Sequence, residues 1–427
     1  MSEVIRKITK KLFGNVFSRG GKTVLIIPII SVFGNVMYLE GSFKLGIENI
    51  SPQFVQQFAG KKIGLITNQS GIDQRGRRTV DILREKGLTV AYLFAPEHGI
   101  DGKFGSGERV THSIDTERKI PIVSLYGHGS GKMIPTAILA KVDVIMFDIQ
   151  DSGMRHYTYI STLNHALRMA QKHGKDFVVF DRPNPLGVVM EGPLVEDPLR
   201  SFISVAAIPL RHGMTVGELA RYFNKYELKE PARLQVVSMD QYDRFTPVST
   251  TLSAPLSPGL RTMQSCYGYS FLGLLGEIAP FGIGLHTDAR YQCIALPKRL
   301  GIDRKIWVSL QGELKKHGID TTLYEYVNPK TNVCFSGLRL AIKNINKVHA
   351  FAGLYTVLHF FNKRGVSLSF SRDFDLAVGT AEMRKVFHGK SSYAMLAGQV
   401  NTQLVQFLEK ARMSFLYAPF PTPQFIK

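Results

Sequence analysis

From Lys61 onward the chain alternates short apolar runs with helical segments, and few folds accommodate that alternation. The runs are IGLIT (63–67), TVAYLF (89–94), IPIVSLYG (120–127), VDVIMFD (142–148) and DFVVFD (176–181), with helical segments near 79–86 and 160–173 and a short one in IPTAILA. Strands that are apolar at nearly every position are buried on both faces, and strand–helix repetition makes their sheet parallel. The expected class is therefore α/β. Beyond about Val237 the character changes, with a Ser/Thr/Pro-rich stretch at 246–258 that reads as a linker or long loop before a second domain. Near the C-terminus, Leu404, Phe407, Leu408, Ala411, Phe415 and Leu416 recur at helical spacing as a core-facing stripe.

In an open parallel sheet, ligands bind outside the carboxyl ends of the strands, so the residues that follow each run matter most. They are Thr67-Asn68-Gln69-Ser70-Gly71, Ala95-Pro96-Glu97-His98-Gly99, Tyr126-Gly127-His128-Gly129, Asp148 to Arg155, and Asp181-Arg182-Pro183-Asn184-Pro185. Glu97 sits between a stiff proline and a His-Gly pair that lets the backbone approach a ligand. Asp148 and Asp151 bracket one strand end, with Arg155, His156 and Tyr157 close behind, and Glu191-Gly192-Pro193 and Arg211-His212-Gly213 follow. Taken singly, each acid has a structural reading: an Asp at a strand end caps the next helix, and Thr215 with Glu218 spells a capping box. As a group on adjacent strand ends they suit glycoside hydrolysis, which needs one protonated and one ionised carboxyl group flanking the scissile bond.

Other chemistries fit less well. Glu97, His98, Asp148, Asp151, His156 and His212 could ligate a metal, but no HExxH-like spacing occurs, and no metal or cofactor is expected. The first strand–helix turn reads NQSGIDQRG rather than GxGxxG, and no GxSxG elbow is present. The formal charge of 53 − 34 = +19 suits a polyanionic partner. Nucleic acid, anionic lipid and an acidic cell-wall polymer are all such partners, and the lack of zinc-finger spacing, an RNP signature or a basic heptad array counts against the first. Cys266, Cys293 and Cys334 are too widely spaced for a metal knuckle or a disulfide framework.

The N-terminus has the layout of an export signal or a short signal-anchor. Arg6, Lys7, Lys10, Lys11, Arg19 and Lys22 precede the apolar stretch TVLIIPIISVFGNVMYL (23–39). The expected location is periplasmic or extracellular, or held at a membrane by this segment; a basic extension on a cytoplasmic protein is the alternative reading.

Together, GLITNQSG, LFAPEHG, VSLYG, DIQDSGMRHYTYIST, DRPNPLG, EGP and IPLRHGMTVGELARYFN resemble the NamZ-type exo-β-N-acetylmuramidases, densely from Lys62 to Asn224. FDLAVGT (374–380) and SFLYAP (414–419) extend the likeness. The resemblance implies a basic, apolar N-terminal segment (1–45), a Rossmann-like catalytic domain (46–245) and a smaller C-terminal α/β domain (246–427) completing the cleft. It implies release of terminal N-acetylmuramic acid from peptidoglycan fragments or muropeptides, with Glu97 as the leading carboxylate and Asp148, Asp151 or Glu191 as the second. Arg155 or Arg182 would receive the lactyl carboxylate. Asn68, His98, Tyr157, Asn184 and His212 would help to hold the sugar. One segment departs from the family: where its members carry EGTN-SEGRGT-like text, this chain has LGEIAPFGIGL (275–285). Leu275, Phe281, Ile283 and Leu285 stand there in place of polar residues. An altered substrate, or a glycan-binding protein without catalysis, is the second functional expectation.

Overall fold

The structure is a computed structural model that describes residues 43–105, 107–126, 133–245 and 254–426. The basic, apolar N-terminal stretch, the His128 loop and most of the Ser/Thr/Pro-rich stretch lie outside the described residues.

Nine strands lead into the site: β1 (Lys62–Thr67), β2 (Thr89–Ala95), β3 (Ser113–Asp115), β4 (Ile120–Ser124), β5 (Val144–Asp148), β6 (Asp176–Phe180), β7 (Val189–Leu194), β8 (Pro209–Arg211) and β9 (Arg233–Val237). Seven of them form one sheet in the order β3-β4-β2-β1-β5-β6-β9, parallel throughout except for the edge strand β3. Alternate residues on one strand serve opposite faces: Val144 and Met146 of β5 join one apolar core, Ile145 and Phe147 the other. That two-sided burial is why these strands read as unbroken apolar runs.

The helices between strands begin where the sequence marks them. One spans Thr79–Glu85, another Tyr159–Lys172. A third, Val216–Tyr226, opens on the expected capping box, in which Thr215 Oγ1 accepts from the Glu218 amide and Glu218 Oε2 accepts from the Thr215 amide at 3.0 Å. The Glu218 carboxylate is also paired with buried Arg244. Between β6 and β9 the chain makes an excursion not read from the sequence: β7 and β8 pair antiparallel, and the C-terminal Thr422–Pro423 adds to β7 in parallel.

The second, smaller domain is built on a three-stranded antiparallel sheet of Cys293–Pro297, Cys334–Ala341 and Asp320–Val327. Its helices Met263–Leu275, Arg304–Lys316 and Ala350–Asn362 share an apolar core with the parallel sheet, in which Leu163 and Phe223 join Leu272, Trp307 and Phe361. The C-terminal helix, Tyr393–Ala411, buries Leu404, Phe407 and Ala411 as its stripe requires. It stops before Phe415 and Leu416, because a single 3-10 turn at Arg412–Ser414 redirects the chain toward the parallel sheet. There the Tyr417 hydroxyl donates to Asp181 Oδ2 at 2.7 Å and accepts the Met239 amide at 2.8 Å.

Candidate active site

Past the end of β2 the backbone turns sharply through His98 (φ 71°) and Gly99 (φ 78°). A Cβ on Gly99 would come within 2.9 Å of the Phe104 ring, so glycine is required for both conformation and space. His98 is braced in its unusual conformation, its Nδ1–H donating to the Phe104 carbonyl at 2.8 Å. This turn aims Glu97, only 6% exposed, into a pocket of about 430 Å³. Three donors converge on its carboxylate. The Gly107 amide reaches Oε1 at 3.0 Å, the Thr158 hydroxyl reaches Oε2 at 2.5 Å, and the Tyr126 hydroxyl is the third. Burial and the adjacent Glu97 charge push the Tyr126 hydroxyl up to about 12, so it serves Glu97 as a neutral donor.

The second wall of the pocket comes from the other domain. Helix Met263–Leu275 contributes Tyr269 and Gly273, and Glu277 follows its end. The Glu277 carboxylate accepts from the Ser371 hydroxyl at 2.6 Å, and its backbone carbonyl accepts the Ser371 amide at 2.8 Å. Tyr157, Tyr269 and Tyr291 line the space with edge-to-face ring contacts at 5.9 and 5.1 Å. Burial raises the hydroxyl groups of Tyr157 and Tyr269 well above the ordinary phenol range, so both stay neutral. The His156 ring lies 4.8 Å from that of Tyr269 and is only 9% exposed, yet neither of its nitrogens has a hydrogen-bond partner. Burial, and secondarily Arg155, push it down to about 3.

Of the residues singled out from the sequence, the pocket receives Glu97, His98, His156 and Tyr157. The others are committed elsewhere. Asp148, wholly buried, accepts from Arg182 Nε and Nη2 and from the Thr79 hydroxyl, and Arg182 also donates to the Ile72 carbonyl at 2.9 Å. Asp151 accepts the Gly153 amide at 2.7 Å and His212 Nε2–H at 3.2 Å, while His212 Nδ1 accepts the Met214 amide. Glu191 pairs with buried Arg211 at 2.9 Å and accepts the Phe351 amide at 3.1 Å. None of the three candidates for the second carboxylate therefore lines the pocket, because each meets a cation or a histidine brought by a different strand end.

Arg155 does not face the pocket either. Its Nη1 donates to the carbonyls of Pro193 and Ile208 at 2.6 and 2.8 Å, and its Nη2 to that of Val378 at 2.7 Å. Asn184 bridges the Leu186 amide and the Met214 carbonyl, and Asn68 holds the Ser70 amide and hydroxyl. Among the described residues, no three His, Cys, Asp or Glu side chains come together as a metal site.

Tyr269, Tyr291, Thr158 and Glu277 were not read from the sequence as site residues. A signal existed in Gly268 and Gly273, two glycines within one helix, each costing about 1 kcal/mol relative to alanine. A Cβ on Gly268 would overlap the Tyr291 carbonyl, and one on Gly273 would come within 2.7 Å of His156 Nε2. Both mark where this helix closes onto the pocket.

The fold and site define an α/β protein of Rossmann-like type, with a carboxylate-bearing cleft between strand ends and a smaller domain. Residues 63–264 match the family model described as exo-beta-N-acetylmuramidase NamZ, N-terminal, and in this segment the chain is similar to the NamZ-type family. Peptidoglycan beta-N-acetylmuramidase NamZ of Bacillus subtilis (strain 168) is 40% identical over 257 residues, covering 59% of this chain and 61% of that protein. The chain thus spans less than two thirds of the length of the curated relative it matches. Crystal structures of two DUF1343 family proteins from Bacteroides fragilis superpose with TM-scores of 0.78 and 0.70, at 29% and 25% identity. Each match covers 88% of this chain and 99% of the other.

Proposed function

We propose that this chain is an exo-acting glycoside hydrolase that releases a terminal amino sugar, N-acetylmuramic acid or a relative of it, from peptidoglycan fragments. The observation that carries the reading is that Glu97 and Glu277, from two domains, line one pocket walled by neutral tyrosines. Two carboxyl groups flanking a glycosidic bond supply the acid that protonates the leaving oxygen and the carboxylate that activates water or attacks the anomeric carbon. The donors around Glu97 hold its oxygens in one orientation, and positioning of this kind is a large part of catalysis. The activity printed for the Bacillus subtilis relative supports the same substrate class. In this reading Glu277 takes the place that sequence alone offered to Asp148, Asp151 or Glu191.

A division of the chain near residue 245 and export or membrane anchoring through residues 23–39 belong to the same proposal. The basic, apolar N-terminus supports the latter, and fractionation of cells expressing the full chain tests it. The test of the activity is product release from defined muropeptides by wild type and Glu97→Gln. Loss of product with an unchanged circular dichroism spectrum is expected, whereas equal turnover by the variant would sink the assignment.

A further inference from the structure

The pocket holding Glu97 and Glu277 has a third carboxylate at its rim, exposed Asp373, and among the described residues no lysine or arginine lines it. His156 does not offset these charges, because burial keeps it neutral. The two arginines that could have received a lactyl carboxylate are turned away: Arg155 onto backbone carbonyls of both domains, Arg182 onto Asp148. The loop at which the family carries polar residues offers no substitute, since Leu275, Phe281 and Ile283 lie in the core.

What the pocket does offer suits an uncharged sugar. Tyrosine rings line it, as rings line most small-molecule sites, and Thr158 and Ser257 stand among them as uncharged polar groups. In the neutral form one ring nitrogen of His156 is a donor and the other an acceptor, and neither has a partner, so either one can take a single hydroxyl or amide group of a sugar. A buried donor–acceptor pair left without partners is costly, so a ligand that satisfies it gains selectivity.

Resting on the hydrolase reading above, we propose that this pocket selects a terminal N-acetylhexosamine that carries no carboxylate, of the N-acetylglucosamine type, over lactyl-bearing N-acetylmuramic acid. A lactyl carboxylate would enter beside like charges with no Lys or Arg counter-ion among the described residues, a penalty of at least about tenfold in a partly desolvated site.

The test compares 4-nitrophenyl β-glycosides of N-acetylglucosamine and N-acetylmuramic acid, which differ only by the lactyl ether, with the full chain. The expected result is a kcat/KM at least about tenfold higher for the uncharged glycoside, with the preference shrinking at high salt as the repulsion is screened. Asp373→Lys places a cation at the rim and is expected to narrow the preference several-fold, through KM. Equal or faster cleavage of the muramic acid glycoside overturns the proposal. If neither glycoside is cleaved, dissociation constants for the two methyl glycosides decide. Tighter binding of the uncharged one upholds the selectivity while the hydrolase reading fails, and equal, reversed or absent binding overturns the selectivity itself.

Discussion

Glu97 and Glu277 line one pocket although Glu97 follows a strand of the parallel sheet and Glu277 follows a helix of the smaller domain. Neither domain alone carries both carboxyl groups, so the site depends on how the two pack. Replacement of either by glutamine keeps the shape but removes proton transfer and turns one acceptor oxygen into a donor. Each variant is expected to lose about 10²–10⁴-fold in kcat with an unchanged melting temperature. Steady-state kinetics on a chromogenic amino-sugar glycoside checks this, and a Glu277→Gln enzyme with wild-type kcat would remove Glu277 from the mechanism.

Asp148 carries a different expectation, because its partners are Arg182 and Thr79 and its side chain is wholly buried. Asp148→Ala leaves the Arg182 guanidinium, 3% exposed, without its counter-charge. Breaking a buried pair from one side costs about 3–5 kcal/mol, so the urea midpoint should fall substantially. A stable but inactive Asp148→Ala protein would contradict this structural role and return Asp148 to the list of catalytic candidates.

These contrasts show what was legible in the sequence. The parallel sheet was, because double-sided burial leaves unbroken apolar runs such as Val144–Asp148, and so was the capping box of Thr215 and Glu218. Glu97 was recognisable from its Pro96 and His98-Gly99 neighbours. The fates of Asp148, Asp151 and Glu191 were not, because they depend on Arg182, His212 and Arg211 arriving from other strand ends. A strand end tells which edge a side chain occupies but not which partner meets it there. Glu277 was hidden for the same reason: only the packing of Gly268 and Gly273 against the Tyr291 carbonyl and His156 brings its helix to the cleft.

His156 gives a pH signature. Its imidazole is pushed down to about 3 in the folded protein, whereas an unfolded chain takes up that proton near 6.5. Stability contributed by the neutral ring is therefore fully present above about pH 6.5 and is lost as pH falls toward 3. Between pH 7 and pH 5 the loss amounts to about 2 kcal/mol. His156→Phe, which cannot be protonated, should lose correspondingly less stability over that interval in urea titrations at the two pH values. Parallel pH dependence in variant and wild type would mean that the ring is not held neutral.

The apolar segment 275–285 invites an attempt to restore the polar residues carried there by the NamZ-type proteins that the sequence resembles, and the packing around it decides what that attempt would meet. Ile283 is 4% exposed, and a Cβ added to Gly276 would come within 2.6 Å of its Cδ1, so the space around it is filled. Phe281 packs its ring 5.7 Å from that of Phe361. Ile283→Arg would bury an unpaired guanidinium among these side chains, a change expected to cost more than about 3 kcal/mol. It should lower the melting temperature without improving turnover of a muramic acid glycoside. Leu285, 37% exposed, is the control: Leu285→Thr should stay within about 0.5 kcal/mol of wild type. If Ile283→Arg folded with wild-type stability and gained activity on the muramic acid glycoside, this segment would have to face the substrate rather than the core.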